Sequence, residues 1–167
     1  MEFLFILFMI IYIIAIPLGL VTYIFSGLAL YKAAKLEGDN RKWLAWIPVI
    51  NNYLLFKLGN KNPNYMWLSI INMPIIFVLN LLLNNEADFN LTLSTLLLII
   101  MLGISIWIIV ITIQSFLYIS TKYDISAVWF ILGLFIPVFS LVAYIIWFNK
   151  LRKLEKEEND KEIFEIE

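Results

Sequence analysis

Arg41-Lys42-Trp43-Leu44-Ala45-Trp46-Ile47-Pro48-Val49-Ile50-Asn51-Asn52-Tyr53 joins two apolar runs while having the character of neither a loop nor a span. Its two Trp, one Tyr, paired cations and central Pro suit the depth of lipid headgroups. Indole and phenol rings carry an apolar body with one polar atom, and Arg or Lys beside them can reach phosphates. From Trp43 to Leu58 the chain is short for a crossing and is interrupted by Pro48, Asn51 and Asn52, yet it is too apolar for a solvated surface helix. How this stretch is placed decides the architecture.

The chain around it reads as membrane protein. Of 167 residues, 62% are hydrophobic and only 15% charged, a balance that no soluble domain of this size needs for its core. Cys and His are both absent, which removes disulfides, thiolate nucleophiles, imidazole bases and the ordinary zinc ligand sets. We expect no catalytic residue, cofactor, metal ion or nucleic-acid partner. The expected fold is an all-α integral membrane protein, multi-pass in the cell membrane. Its spans fall at about 3–31, 65–83, 91–119 and 126–148, with 43–58 as an interfacial or re-entrant segment. A single domain over 1–149 then gives way to a charged tail, 150–167. The first run is long and starts with Glu2 where a signal peptide carries cations, so it reads as a retained span.

Charge placement argues about the count. Lys32, Lys35, Arg41 and Lys42 follow the first span directly, which puts 32–42 in the cytoplasm and the N-terminus outside. The acidic segment 84–90 then reads as an external loop. With four spans, however, the five tail cations Lys150, Arg152, Lys153, Lys156 and Lys161 fall outside, against the rule. Letting 43–58 cross as a fifth span moves the tail inside but makes a poor helix. A re-entrant segment broken at Pro48 or Pro137 is a third solution, and Ile47-Pro48-Val49 is echoed by Ile136-Pro137-Val138.

Ala15, Gly19, Thr22, Ser26, Ala29 and Ala33 share one face of the first span and form a candidate packing face, for which a partner within the chain is favoured over a dimer seam. Asn51, Asn52, Asn72, Asn80 and Gln114 place amides in or beside apolar sequence. They could line a solute path, but interhelical hydrogen bonds are their commoner use. A charged residue is missing from the middle of every clear span, which disfavours coupled transport. Trp43, Trp46, Pro48, Asn51, Asn52, Tyr53 and Gln114 are the candidate interface or path residues.

The run Trp43-Leu44-Ala45-Trp46-Ile47-Pro48-Val49-Ile50-Asn51, continued through Gly59 and followed by Trp67 at the next span, resembles a family of small prokaryotic multi-span membrane proteins of unknown function. That family carries a Trp-x-Ala-x-Ile-Pro-x-x-Asn motif, and some of its members bear a signal peptidase label. The likeness covers roughly 1–80 in layout and is specific over 43–59, while the second half departs from the pattern. It implies a multi-pass membrane protein and no defined activity. A peptidase of that class needs a Ser activated by a neutral Lys on a folded domain outside the membrane, and no stretch between these spans is long enough to form one. The expected function is therefore a non-enzymatic membrane component binding lipid, a membrane-protein partner or a second copy. A small channel or uncoupled permease with its path near Asn51 and Asn52 is the alternative. The tail offers cations beside the last span, and Ile163, Phe164 and Ile166 as a short docking strand.

Overall fold

The computed structural model describes residues 2–84 and 91–164, and among them every regular element is a helix. The chain runs through α1 (Glu2–Leu36), α2 (Asn51–Leu58), α3 (Met66–Asn84), α4 (Leu91–Tyr123), α5 (Ala127–Gly133) and α6 (Pro137–Phe164). Short 3₁₀ turns at Lys42–Trp46 and Pro63–Tyr65 precede α2 and α3. Residues 85–90, which hold most of the acidic loop, and 165–167, which hold Ile166 of the docking strand, lie outside the described residues.

Three segments are long and apolar enough to cross a membrane: Tyr12–Leu36, Pro63–Leu81 and Thr92–Tyr123. They form because long runs of Leu, Ile, Phe and Val meet no stop signal. Pro17 and Pro74 sit inside α1 and α3 without ending either helix. Much of their apolar surface faces outward, as Ile13, Ile16, Phe77, Ile99 and Ile106 do.

The apolar run 126–148, expected as a fourth crossing, is instead a helical hairpin. Gly133 ends α5, and Pro137 opens α6 at the first helical position, where a missing N–H costs nothing. The two arms then run antiparallel. Gly133 lies against Ser140, Phe130 against Tyr144 and Trp147 with ring centroids 5.9 and 6.0 Å apart, and Asp124 within 3.4 Å of Lys150. A Cβ on Gly133 would stand 2.6 Å from the Ser140 Cα, so only glycine lets the arms close. Consequently the chain leaves the hairpin at the end where it entered. Within the described residues α6 continues into the charged tail as far as Phe164.

Residues 42–58 form a second, smaller hairpin. Its outgoing 3₁₀ arm climbs α1, with Lys42 over the Tyr31 ring and the Trp46 ring packed on Gly27, while the Tyr23 hydroxyl donates to the Trp46 carbonyl. Its returning arm, α2, brings Tyr53 beneath the Arg41 guanidinium and Lys57 to Asp39. The tip turns on Pro48 and Val49. Val49 has φ +67°, and the Ile50 N–H donates to the Pro48 carbonyl at 2.8 Å, which makes a γ-turn with a β-branched residue at its centre. That conformation is strained.

One packed core joins the C-terminal half of α1, α2, the last turns of α4, α5 and α6. Phe56, Ile119, Trp147 and Leu151 are fully buried in it. Ala29, Ala33 and Ala34 of α1 are buried there with Ala143 of α6, and α1 and α6 share the most extensive helix contact. The lower part of the small-residue face is thus spent inside the chain. Its upper part differs: Ala15 and Gly19 are exposed, and nothing approaches Gly19.

Candidate functional site

Three helices stop at the same end of the molecule, and each stops in the same way. Gly38, Asn60 and Asp124 take positive φ just past α1, α2 and α4. In each case the next N–H reaches back five residues: Asp39 to Ala34 at 2.8 Å, Lys61 to Phe56 at 2.8 Å and Ile125 to Ser120 at 2.9 Å. These Schellman closures engage carbonyls that a helix end otherwise leaves free. Gly, Asn and Asp are the residues that tolerate the left-handed conformation.

Ion pairs then tie the ends together. Lys57 reaches Asp39 at 2.6 Å, joining α2 to the turn after α1, and the Arg41 N–H also donates to Asp39 at 3.0 Å. Burial pushes the Asp39 carboxyl up. The hydrogen bonds from Lys57 and Arg41, with the charges of both, outweigh it and hold the group below the usual carboxylate range. Glu37 receives Lys122 at 2.6 Å and the Tyr123 hydroxyl at 2.9 Å, joining α1 to α4. Glu155 receives Lys32 at 2.6 Å and Lys35 at 2.8 Å, joining α1 to α6. Hydrogen bonds from these two lysines bring the Glu155 carboxyl down to about 2.

All twelve Lys and Arg of the chain belong to this end or to the part of α6 that extends from it. Hairpin geometry is the reason. Because 42–58 and 126–148 both double back, Lys57 stays beside Asp39, Lys61 follows at the close of α2, and Lys150 stays beside Asp124. Among the described residues no carboxylate lies within ion-pair distance of Lys61, Arg152, Lys153 or Lys156.

A cleft of about 550 Å³ opens on this end between the close of α2 and the last turns of α4. Gly59, Asn60 and Lys61 form one wall, and Gln114, Leu117, Tyr118, Thr121 and Lys122 the other. Gly59 creates the contact at its base, since a Cβ there would fall 2.3 Å from the Ser115 Cβ. A smaller cavity, about 420 Å³, lies between α1 and the larger hairpin and is lined in part by Gly19, Thr22, Ser26, Ser140 and Tyr144.

The residues singled out from sequence separate into three groups. Trp43, Trp46, Pro48, Asn51, Asn52 and Tyr53 share the smaller hairpin, with Trp43 and Trp46 exposed, Pro48 at the tip and Tyr53 buried. Asn52 donates to Ser69 at 3.3 Å, Asn72 to Ser105 at 3.1 Å and Asn80 to the Ile76 carbonyl at 2.9 Å, so these three amides are used within or between helices. Gln114 lies apart from them, on the large cleft. Lys61, Tyr118, Thr121 and Lys122 were not singled out. Their signal was present, because Gln114, Tyr118, Thr121 and Lys122 follow at steps that share a helix face. Comparison with family models, with curated proteins and with solved structures finds no match for this chain, so the resemblance over 43–59 rests on those residues alone.

Proposed function

We propose that this chain is a non-enzymatic, multi-pass component of a prokaryotic cell membrane that binds anionic lipid at its cationic end. In this reading α1, α3 and α4 cross the bilayer, and both hairpins enter and leave from the cytoplasmic side. The N-terminus lies outside, and 32–42 and the tail lie in the cytoplasm. The observation that carries the proposal is the gathering of every Lys and Arg at one end. With three crossings and two hairpins, all twelve obey the positive-inside rule, which neither four nor five crossings achieve. Negative headgroups of the inner leaflet attract such a surface by about 1 kcal/mol per cation. The exposed Trp43, Trp46 and Trp67 suit the boundary beside it. A path through Asn51 and Asn52 has less support, since Asn52 is bonded to Ser69 and neither large cleft is lined by either amide.

Thermal unfolding in lipid nanodiscs tests the proposal. Replacing phosphatidylcholine by phosphatidylglycerol should raise Tm by about 2–4 °C. Equal Tm in the two lipids removes the lipid reading and leaves a protein partner or a second copy as the occupant of this end.

A further inference from the structure

We infer that the cleft between Gly59–Lys61 and the last turns of α4 holds the phosphate of one anionic phospholipid, with an acyl chain laid along α4. The inference rests on the lipid-binding reading and gives it an address.

The rim of the cleft is rich in donors. Lys61 has no counter-ion among the described residues, and Lys122 stands opposite it, sharing its charge with Glu37 at 2.6 Å. Asn60 and Gln114 add amide N–H groups, and Tyr118 and Thr121 add hydroxyls. A phosphodiester accepts several such bonds, and those from ammonium groups are the strongest. Carbonyls at the ends of α2 and α4 would by themselves repel an anion. The Lys61 and Ile125 N–H groups engage the Phe56 and Ser120 carbonyls there, and that leaves the ammonium groups to set the sign at the rim.

The wall of the cleft says which source of phosphate fits. Leu117 and Tyr118 are both more than 40% exposed, and Val110, Ile109 and Ile106 continue the exposed apolar surface of α4 away from the cationic end. A free phosphate ion has no use for such a strip. An acyl chain does, and the headgroup it carries would arrive at Lys61.

Full-length protein in detergent, titrated with phosphatidylglycerol or phosphatidylcholine and read by native mass spectrometry, tests this. The wild type should hold one phosphatidylglycerol more tightly than phosphatidylcholine. Lys61→Gln should weaken that adduct by about fivefold, the equivalent of one cation at a membrane surface, and Lys61→Arg should restore most of it. Tm of each variant, measured alongside, verifies that the fold is retained. If Lys61→Gln binds phosphatidylglycerol as the wild type does, the site is elsewhere and only this inference fails. If the wild type shows no lipid preference, the functional reading fails with it. Displacement of the lipid by inorganic phosphate at equal concentration would overturn the assignment of a lipid occupant.

Discussion

The two hairpins turn on the same three residues, Ile-Pro-Val, and solve the turn in opposite ways. In the smaller one Pro48 precedes a residue forced to positive φ, and the arms are held at the base by Lys57 on Asp39 and Arg41 over Tyr53. In the larger one Pro137 simply starts a helix, and among the described residues no position from 127 to 148 has positive φ. Its arms are held by rings: Phe130 meets Tyr144 and Trp147 edge-on, and its stacking on Phe116 at 4.6 Å ties the pair to α4. The difference follows from arm length. A five-residue 3₁₀ arm opposite an eight-residue helix has little side-chain area to share, so charge and strain close it. A seven-residue helix against α6 has aromatic area enough to close without strain, and the exposed Asp124–Lys150 pair at its base adds little.

That contrast can be broken arm by arm. Phe130→Ala removes a ring that is 2% exposed and central to the larger hairpin, and should cost about 3–5 kcal/mol, read as a fall in Tm. A cost below 1 kcal/mol would mean that the rings do not hold the arms. Asp39→Asn keeps the size of the side chain but loses the charge that Lys57 and Arg41 share, and should cost about 1–2 kcal/mol in the same measurement. A loss as large as that of Phe130→Ala would erase the distinction between the hairpins.

Strain gives the comparison a sign. Val49→Gly frees the tip of the smaller hairpin and should be neutral or stabilising by up to about 1 kcal/mol, whereas glycine at an unstrained position costs about that much. Clear destabilisation would show that Val49 is not held against its preference. The smallest effect concerns Glu155, whose depressed carboxyl favours the folded chain above the ordinary value of 4.5 and ceases to do so as pH falls toward about 2. The Tm difference between wild type and Glu155→Gln, worth less than about 1 kcal/mol at neutral pH because the pair is partly exposed, should therefore close across that window. A difference constant with pH would detach Glu155 from Lys32 and Lys35.

The three helices apolar enough to cross were legible because each is a long apolar run, and the smaller hairpin was half legible because Pro48 and two Asn interrupt a run too short to span. The larger hairpin was legible only as the re-entrant alternative at Pro137, because its composition is as apolar as a span from Ala127 to Phe148. Its signal was local. Gly133 and Pro137, four residues apart, are a helix stop followed by a helix start. The tail cations, which four spans would leave outside, were the other pointer to a break at Pro137. The closures themselves, Gly133 on Ser140 and Gly59 on Ser115, depend on distances between residues that sequence order does not reveal. The cleft was missed for a related reason: its walls come from residues 59–61 and 114–122, which lie more than fifty residues apart in the chain.

The central claim is that 126–148 returns to the side it left. Because the chain has no Cys, single cysteines at Asn62, Asn85 and Asn159 can each be probed in intact cells with a membrane-impermeant maleimide. The account expects labelling at position 85 and none at 62 or 159 until the cells are permeabilised. Labelling of 159 without 62 in intact cells would mean that the segment crosses, and would contradict it.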